Sequence, residues 1–236
     1  MSLNSNLFIS IGLPVIDEYG RVIGKIASFA LAPNGKFEAV FIEHGNGKFL
    51  RGSLENLKFE GDKVILLSNI KLRVNVLCDH IPLIWRKDQA LKELVEKKKI
   101  SKELYEELHT SFDGALTQLK EEAQALIEEI DKEINRCINE TRELNYALVH
   151  LEIEHEIGKV DDKTYETAFA IIQENLKKTS MEKSDLEAAK NKLSNILLGE
   201  NLKAPKEMES KTQQEFASTP KISELPEPPL VVYVKE

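Results

Sequence analysis

The chain has 236 residues, of which 42% are apolar and 31% charged. That is enough for one or two domains, too apolar for wholesale disorder and too charged for a membrane-embedded protein. Two cysteines, Cys78 and Cys137, exclude a disulfide framework and a CxxC metal knuckle. The net charge of −8 divides into +2 for residues 1–86, −8 for residues 87–198 and −2 for residues 199–236. No basic stripe of the kind that grips phosphates runs through it, so a dedicated nucleic-acid reader is not expected.

Eight of the 11 glycines lie at or before Gly61, and six of the nine phenylalanines at or before Phe59. No proline separates Pro82 from Pro205. The composition therefore divides the chain into a turn-rich head, a long charged middle and a Pro-rich tail. The opening MSLNSNLFISIG lacks the basic region of a secretory signal, and its apolar run is broken by Asn4, Asn6, Gly12 and Pro14. No window reaches 18 apolar residues without a charge. A cytoplasmic protein is expected, and binding to a membrane surface stays open.

In the head, short apolar runs alternate with turn signals at Asp17–Gly20, Pro33-Asn34-Gly35, Asn46-Gly47 and Glu60-Gly61-Asp62. Between them Val22–Phe29, Lys36–Glu43 and Lys63–Leu67 have the β-branched and aromatic character of strands. Strands at this spacing predict a small β-barrel over residues 1–85, since closure removes exposed sheet edges. GLPVIDEYGRVIGKI (Gly12–Ile26), followed by NGKFEAVFI (Asn34–Ile42), resembles the opening of a PRC-barrel domain. That resemblance implies an adaptor module without chemistry of its own. Gly45-Asn46-Gly47-Lys48 is no P-loop, because Phe49 stands where a Ser or Thr would open a helix, and a hairpin turn is expected instead. His44 and His80 have no partner at ligand spacing.

From Lys87 the periodicity becomes helical. Ile127, Ile130, Ile134, Cys137, Thr141, Leu144, Leu148 and Leu151 alternate spacings of three and four. So do Tyr165, Phe169, Ile172, Leu176, Thr179, Lys183, Leu186, Lys190, Leu193 and Leu197. Such heptads with charged flanks predict a coiled coil, and Leu116, Leu119, Ala123 and Leu126 join it through a stutter. Two similar breaks interrupt the helix, at Lys97–Glu106 and Ile157–Glu166. Ser101 and Asp161 are N-caps, with Ile100 and Tyr105, or Val160 and Tyr165, as hydrophobic staples. Gly158 stops the preceding helix. An antiparallel helical hairpin over residues 86–198 follows, turning near 158–161 at Gly158, Val160, Asp161 and Tyr165, with a short helix near 86–98 joining it to the barrel. Glu152-x-x-His155 is half of a carboxylate-bridged metal motif with no second half, so no metal and no other cofactor is expected. Cys137 reads as a small core residue, and Lys97–Lys99 as a solvated helix end among Glu93, Glu96 and Glu103. A two-helix hairpin rarely buries its whole apolar stripe, so self-association is expected.

Residues 199–222 are Lys-, Glu-, Gln-, Ser- and Thr-rich and read as a flexible linker. The chain then ends on an apolar, strand-prone peptide over 223–236. Leu225, Pro226, Pro228 and Pro229 pre-extend the backbone, and Leu230, Val231, Val232, Tyr233 and Val234 have strong β-propensity. Two readings stay open for it: an extra strand docked on the chain's own barrel, or a linear motif that adds a strand to another protein's sheet.

In fold class, then, the chain is α+β: a small N-terminal β-barrel, a long antiparallel coiled-coil hairpin and a disordered tail. That order of parts resembles the CdvA family of archaeal cell-division proteins along its whole length. The resemblance implies a homodimer and helical filament built through barrel and coiled coil. It implies location at mid-cell on the inner face of the cell membrane. It further implies that the tail binds the winged-helix domain of CdvB, an ESCRT-III-like protein. DNA association is also reported for the family, but the acidic middle lends it no support and only the mildly basic barrel leaves room for it. No nucleophile–His–acid set, paired carboxylates or phosphate loop points to an enzyme.

Overall fold

The computed structural model describes residues 7–45 and 47–199. Six strands come first: β1 (Pro14–Asp17), β2 (Val22–Leu31), β3 (Phe37–His44), β4 (Phe49–Gly52), β5 (Leu57–Glu60) and β6 (Lys63–Leu66). Their order in the sheet is β4-β3-β2-β1-β6-β5, with β1 parallel to β6 and every other pair antiparallel. Strands thus form where the alternation placed them. Gly24 is required at its place in β2, because a Cβ there would meet the Glu43 carbonyl oxygen at 2.0 Å. Val15, Ile26, Phe29, Val40, Ile42, Leu57 and Val64 are buried in the core of the sheet. Phe8, from a turn of 3-10 helix at Leu7–Ser10, meets Phe29 edge-on at 6.1 Å.

Closure is where the sheet departs from expectation. It is open, and among the described residues no ladder joins the edge strands β4 and β5. Each edge is four residues long, and the chain leaves the sheet at Leu66, before any strand could bridge them.

Three helices follow: α1 (Asn69–Glu96), α2 (Lys102–Glu156) and α3 (Asp162–Leu197). The expected short helix near 86–98 is therefore the end of a 28-residue helix that begins directly after the sheet. Ser68 caps it, its Oγ accepting from the Lys71 amide at 3.5 Å. Pro82 sits inside α1. An internal proline costs about 3 kcal/mol and reads as a boundary in sequence. Here the helix continues because Val74, Leu77, Cys78 and Ile81 before the proline are buried, Leu91 after it is buried too, and Ile84 and Trp85 pack against the helical core.

Both breaks form as the caps require. Ser101 Oγ accepts from Leu104 N at 3.2 Å, and Asp161 Oδ1 from Thr164 N at 3.0 Å. The 55 residues of α2 make a rod of roughly 80 Å at 1.5 Å per residue. Both flanking helices lie antiparallel to it. Arg73 of α1 pairs with Glu129, and Asp88 with His109, farther toward the α2 N-terminus. On α3, Tyr165 meets Glu152, Glu182 meets Arg136 and Lys190 meets Asp131. The expected two-helix hairpin is thus a three-helix arrangement, with α1 and α3 overlapping at Lys192 and Asn75. Ala123, Leu126, Ile127, Ile130, Leu186 and Leu193 fill the core of that overlap.

Candidate assembly site

Gly158, Val160, Asp161 and Tyr165 lie at the joint between α2 and α3. Gly158 adopts φ 75 and closes α2, its amide donating to the His155 carbonyl at 2.9 Å while Lys159 N donates to Glu154 O at 2.9 Å. Val160 is half-buried and Asp161 caps α3. Tyr165 is the centre of the tip. His155 stacks on its ring at 4.2 Å and Phe169 at 5.7 Å, and its hydroxyl donates to Glu152 at 2.6 Å. Glu152 and His155 therefore both meet Tyr165, and His155 Nε2 lies 3.0 Å from Asp162. Among the described residues no three His, Cys, Asp or Glu side chains converge as metal ligands. The nine tail residues named above, Leu225 to Val234, lie outside the described residues.

A second constellation ties the sheet to the helices. Asp17 folds the β1–β2 turn, accepting from the amides of Tyr19 and Arg21 at 2.9 and 2.7 Å. Arg21 pairs with Asp17 at 2.6 Å and with Glu182 of α3 at 2.7 Å. Glu182 also takes Arg136 of α2, which bonds Glu133 and Glu140 on its own helix. Lys71 of α1 joins from the other side, reaching Asp185 at 2.6 Å and Glu18 at 3.1 Å. Tyr19 lies between the cations, 5.3 Å from Arg21 and 5.1 Å from Lys71, and its hydroxyl donates to Asp185 at 3.1 Å. Burial pushes the Tyr19 phenol up to about 12, so it stays a donor. Asp17, Glu18, Tyr19, Arg21 and Glu182 line a cleft of about 440 Å³. The cluster's three cations each pair with two or more carboxylates across three helices and a turn, which makes it a clamp that fixes the sheet on the rod. Nothing in the sequence periodicity brings Arg21 to Glu182; only the fold does.

Distally, the rod changes character. No α2 residue beyond Cys137 is fully buried, because only α3 remains beside it there. Ile138, Tyr146, Val149, Ile153 and Ile157 are about half exposed. The reading by heptads passed them over, since they lie off the seam, although their own spacing of three, four and eight is legible once the seam is fixed. No described helix is long and apolar enough to cross a membrane. This arrangement can bind: one seam is closed by α3, and a second apolar stripe is left on the surface of a long rod.

Residues 71–215 match the family described as the CdvA-like coiled-coil domain, a match that starts near the beginning of α1 and leaves the sheet outside it. The chain is also similar to Cell division protein A of Sulfolobus acidocaldarius, at 23% identity over 186 residues, which cover 79% of this chain and 78% of that protein. With more than half its length matched, and with the antiparallel rod that the match spans, this chain belongs to the CdvA-like coiled-coil family.

Proposed function

We propose that this protein is a non-enzymatic cell-division scaffold. It polymerises at the cytoplasmic face of the membrane through its sheet domain and coiled coil. It recruits an ESCRT-III-like protein, CdvB, through residues 223–236. The single observation that carries the reading is the membership of residues 71–215 in a division-protein coiled-coil family. It is supported by the name of the Sulfolobus relative. The rod itself supports assembly, because exposed apolar residues along its distal half are poor solvent surface and good interface. The tail supports recruitment: ladder hydrogen bonds from Leu230–Val234 would supply affinity, and alternate side chains would fill pockets.

Deleting residues 223–236 tests the division of labour. The truncated chain should lose capture of CdvB and keep its assembly. If it still captures CdvB with unchanged affinity, the tail is not the recruiter.

A further inference from the structure

The second stripe on α2 has a form that selects its own partner. At roughly 100° per residue, Ile138, Tyr146, Val149 and Ile153 of α2, with Ile157 at its C-cap, fall on the side away from the seam of Cys137, Thr141, Leu144, Leu148 and Leu151. They are 46, 58, 54, 49 and 58% exposed. Arg142 lies in the same arc. It is exposed, and its contacts are loose: Asn139 at 3.3 Å and Glu143 at 3.8 Å. Near the other end stands Glu156, exposed and without an ion pair among the described residues.

We propose that this face pairs with the same face of a second copy, antiparallel, about a twofold axis between Tyr146 and Val149. The inference deepens the assembly reading above and rests on it. In that register Ile138 faces Ile157, Tyr146 faces Val149 and Arg142 faces Ile153 of the other copy. One turn onward, on the same side, Arg142 meets Glu156 of the other copy, and symmetry makes the ion pair twice. A parallel pairing in register would instead stack Arg142 on its own copy within an apolar stripe. Self-complementarity of this kind is what a twofold, isologous interface demands. An unrelated partner would have no reason to match the spacing of Ile138, Tyr146, Val149 and Ile157 about one centre. The product is a four-helix layer in the order α3-α2-α2-α3, with the sheet domains carried outward at opposite ends.

The test mixes full-length chains carrying Ile138→Cys with full-length chains carrying Ile157→Cys under oxidation, both also carrying Cys78→Ala and Cys137→Ala so that no native thiol takes part. Cross-linked dimers should form in the mixture and not in either chain alone. Cross-linking within each chain alone means a parallel pair and overturns the proposal. A charge-reversal pair gives a second reading by sedimentation. Arg142→Glu should weaken self-association at least tenfold, and adding Glu156→Arg should restore it. Failure of restoration overturns the proposal. If the wild-type chain assembles, the cysteine mixture gives no cross-link and Arg142→Glu leaves assembly unchanged, this interface is removed and the scaffold reading stands. Wild-type chain that stays monomeric removes both.

Discussion

Lys98 and Gly158 close their helices in the same backbone conformation. Lys98 has φ 53 and Gly158 φ 75, and Lys98 is the only residue other than glycine with positive φ among those described. Lys98 N donates to Val95 O and Lys99 N to Leu94 O; Gly158 N donates to His155 O and Lys159 N to Glu154 O. Each pair is the two-bond stop that satisfies the last carbonyls of a helix. The left-handed conformation strains a Cβ, which glycine lacks. Lys98→Gly should therefore stabilise the protein, by about 0.5–1 kcal/mol, and Gly158→Ala should destabilise it by about 1 kcal/mol. Thermal melts of the two variants should move in opposite directions, and movement of both in one direction would contradict the shared geometry.

Glu182 holds two arginines from different elements, Arg21 and Arg136. Glu182→Ala leaves both without that acceptor and should cost about 1–2 kcal/mol, less than a fully buried pair because Arg136 is partly solvated. The sheet should loosen first. Hydrogen exchange at the Tyr19 and Arg21 amides should accelerate in the variant more than exchange in the core of α2. Uniform acceleration would mean that the cluster does not act as a clamp.

Thr179 is buried in the seam of α3, and its hydroxyl has no hydrogen-bond partner among the described residues. An unsatisfied buried hydroxyl is destabilising. Thr179→Val keeps the shape and should raise stability by about 1 kcal/mol, read from the denaturant midpoint at unchanged slope. A loss of stability would show that the hydroxyl has a partner after all.

Acid should loosen the joints between helices. The hydrogen bond from Lys71 holds the Asp185 carboxyl below its ordinary range, against burial and with help from Tyr19. Burial pushes Asp88 up, but His109 and Lys92 outweigh it and hold that carboxyl low as well. A carboxylate depressed in the folded state contributes stability above its unfolded value, about pH 4, and loses that contribution as pH falls through the folded value. Stability should thus drop below about pH 4, and Asp88→Asn together with Asp185→Asn should flatten the drop. An unchanged acid limb in the double variant would assign the loss to other groups.

The local chemistry of this fold is legible in sequence, and its long-range chemistry is not. Ser101, Asp161 and Gly158 announce the helix ends, because caps and stops depend on a few adjacent residues. The seam of Ile130, Cys137, Leu186 and Leu193 follows from periodicity. The continuity of α1 through Pro82 is hidden from local pattern, since the proline's local cost is offset by burial contributed from α2 and α3. Openness of the sheet was hidden too, because alternation fixes which residues form strands and says nothing of which edges meet. The junction cluster joins Arg21 to Glu182 across 161 positions, a pairing no local pattern encodes.

Sedimentation velocity of the full chain at micromolar concentration tests the scaffold claim most directly. The proposed function predicts species much larger than a monomer of 26.8 kDa, growing with concentration and visible as filaments by negative-stain microscopy. A single monomeric boundary across that range would contradict it.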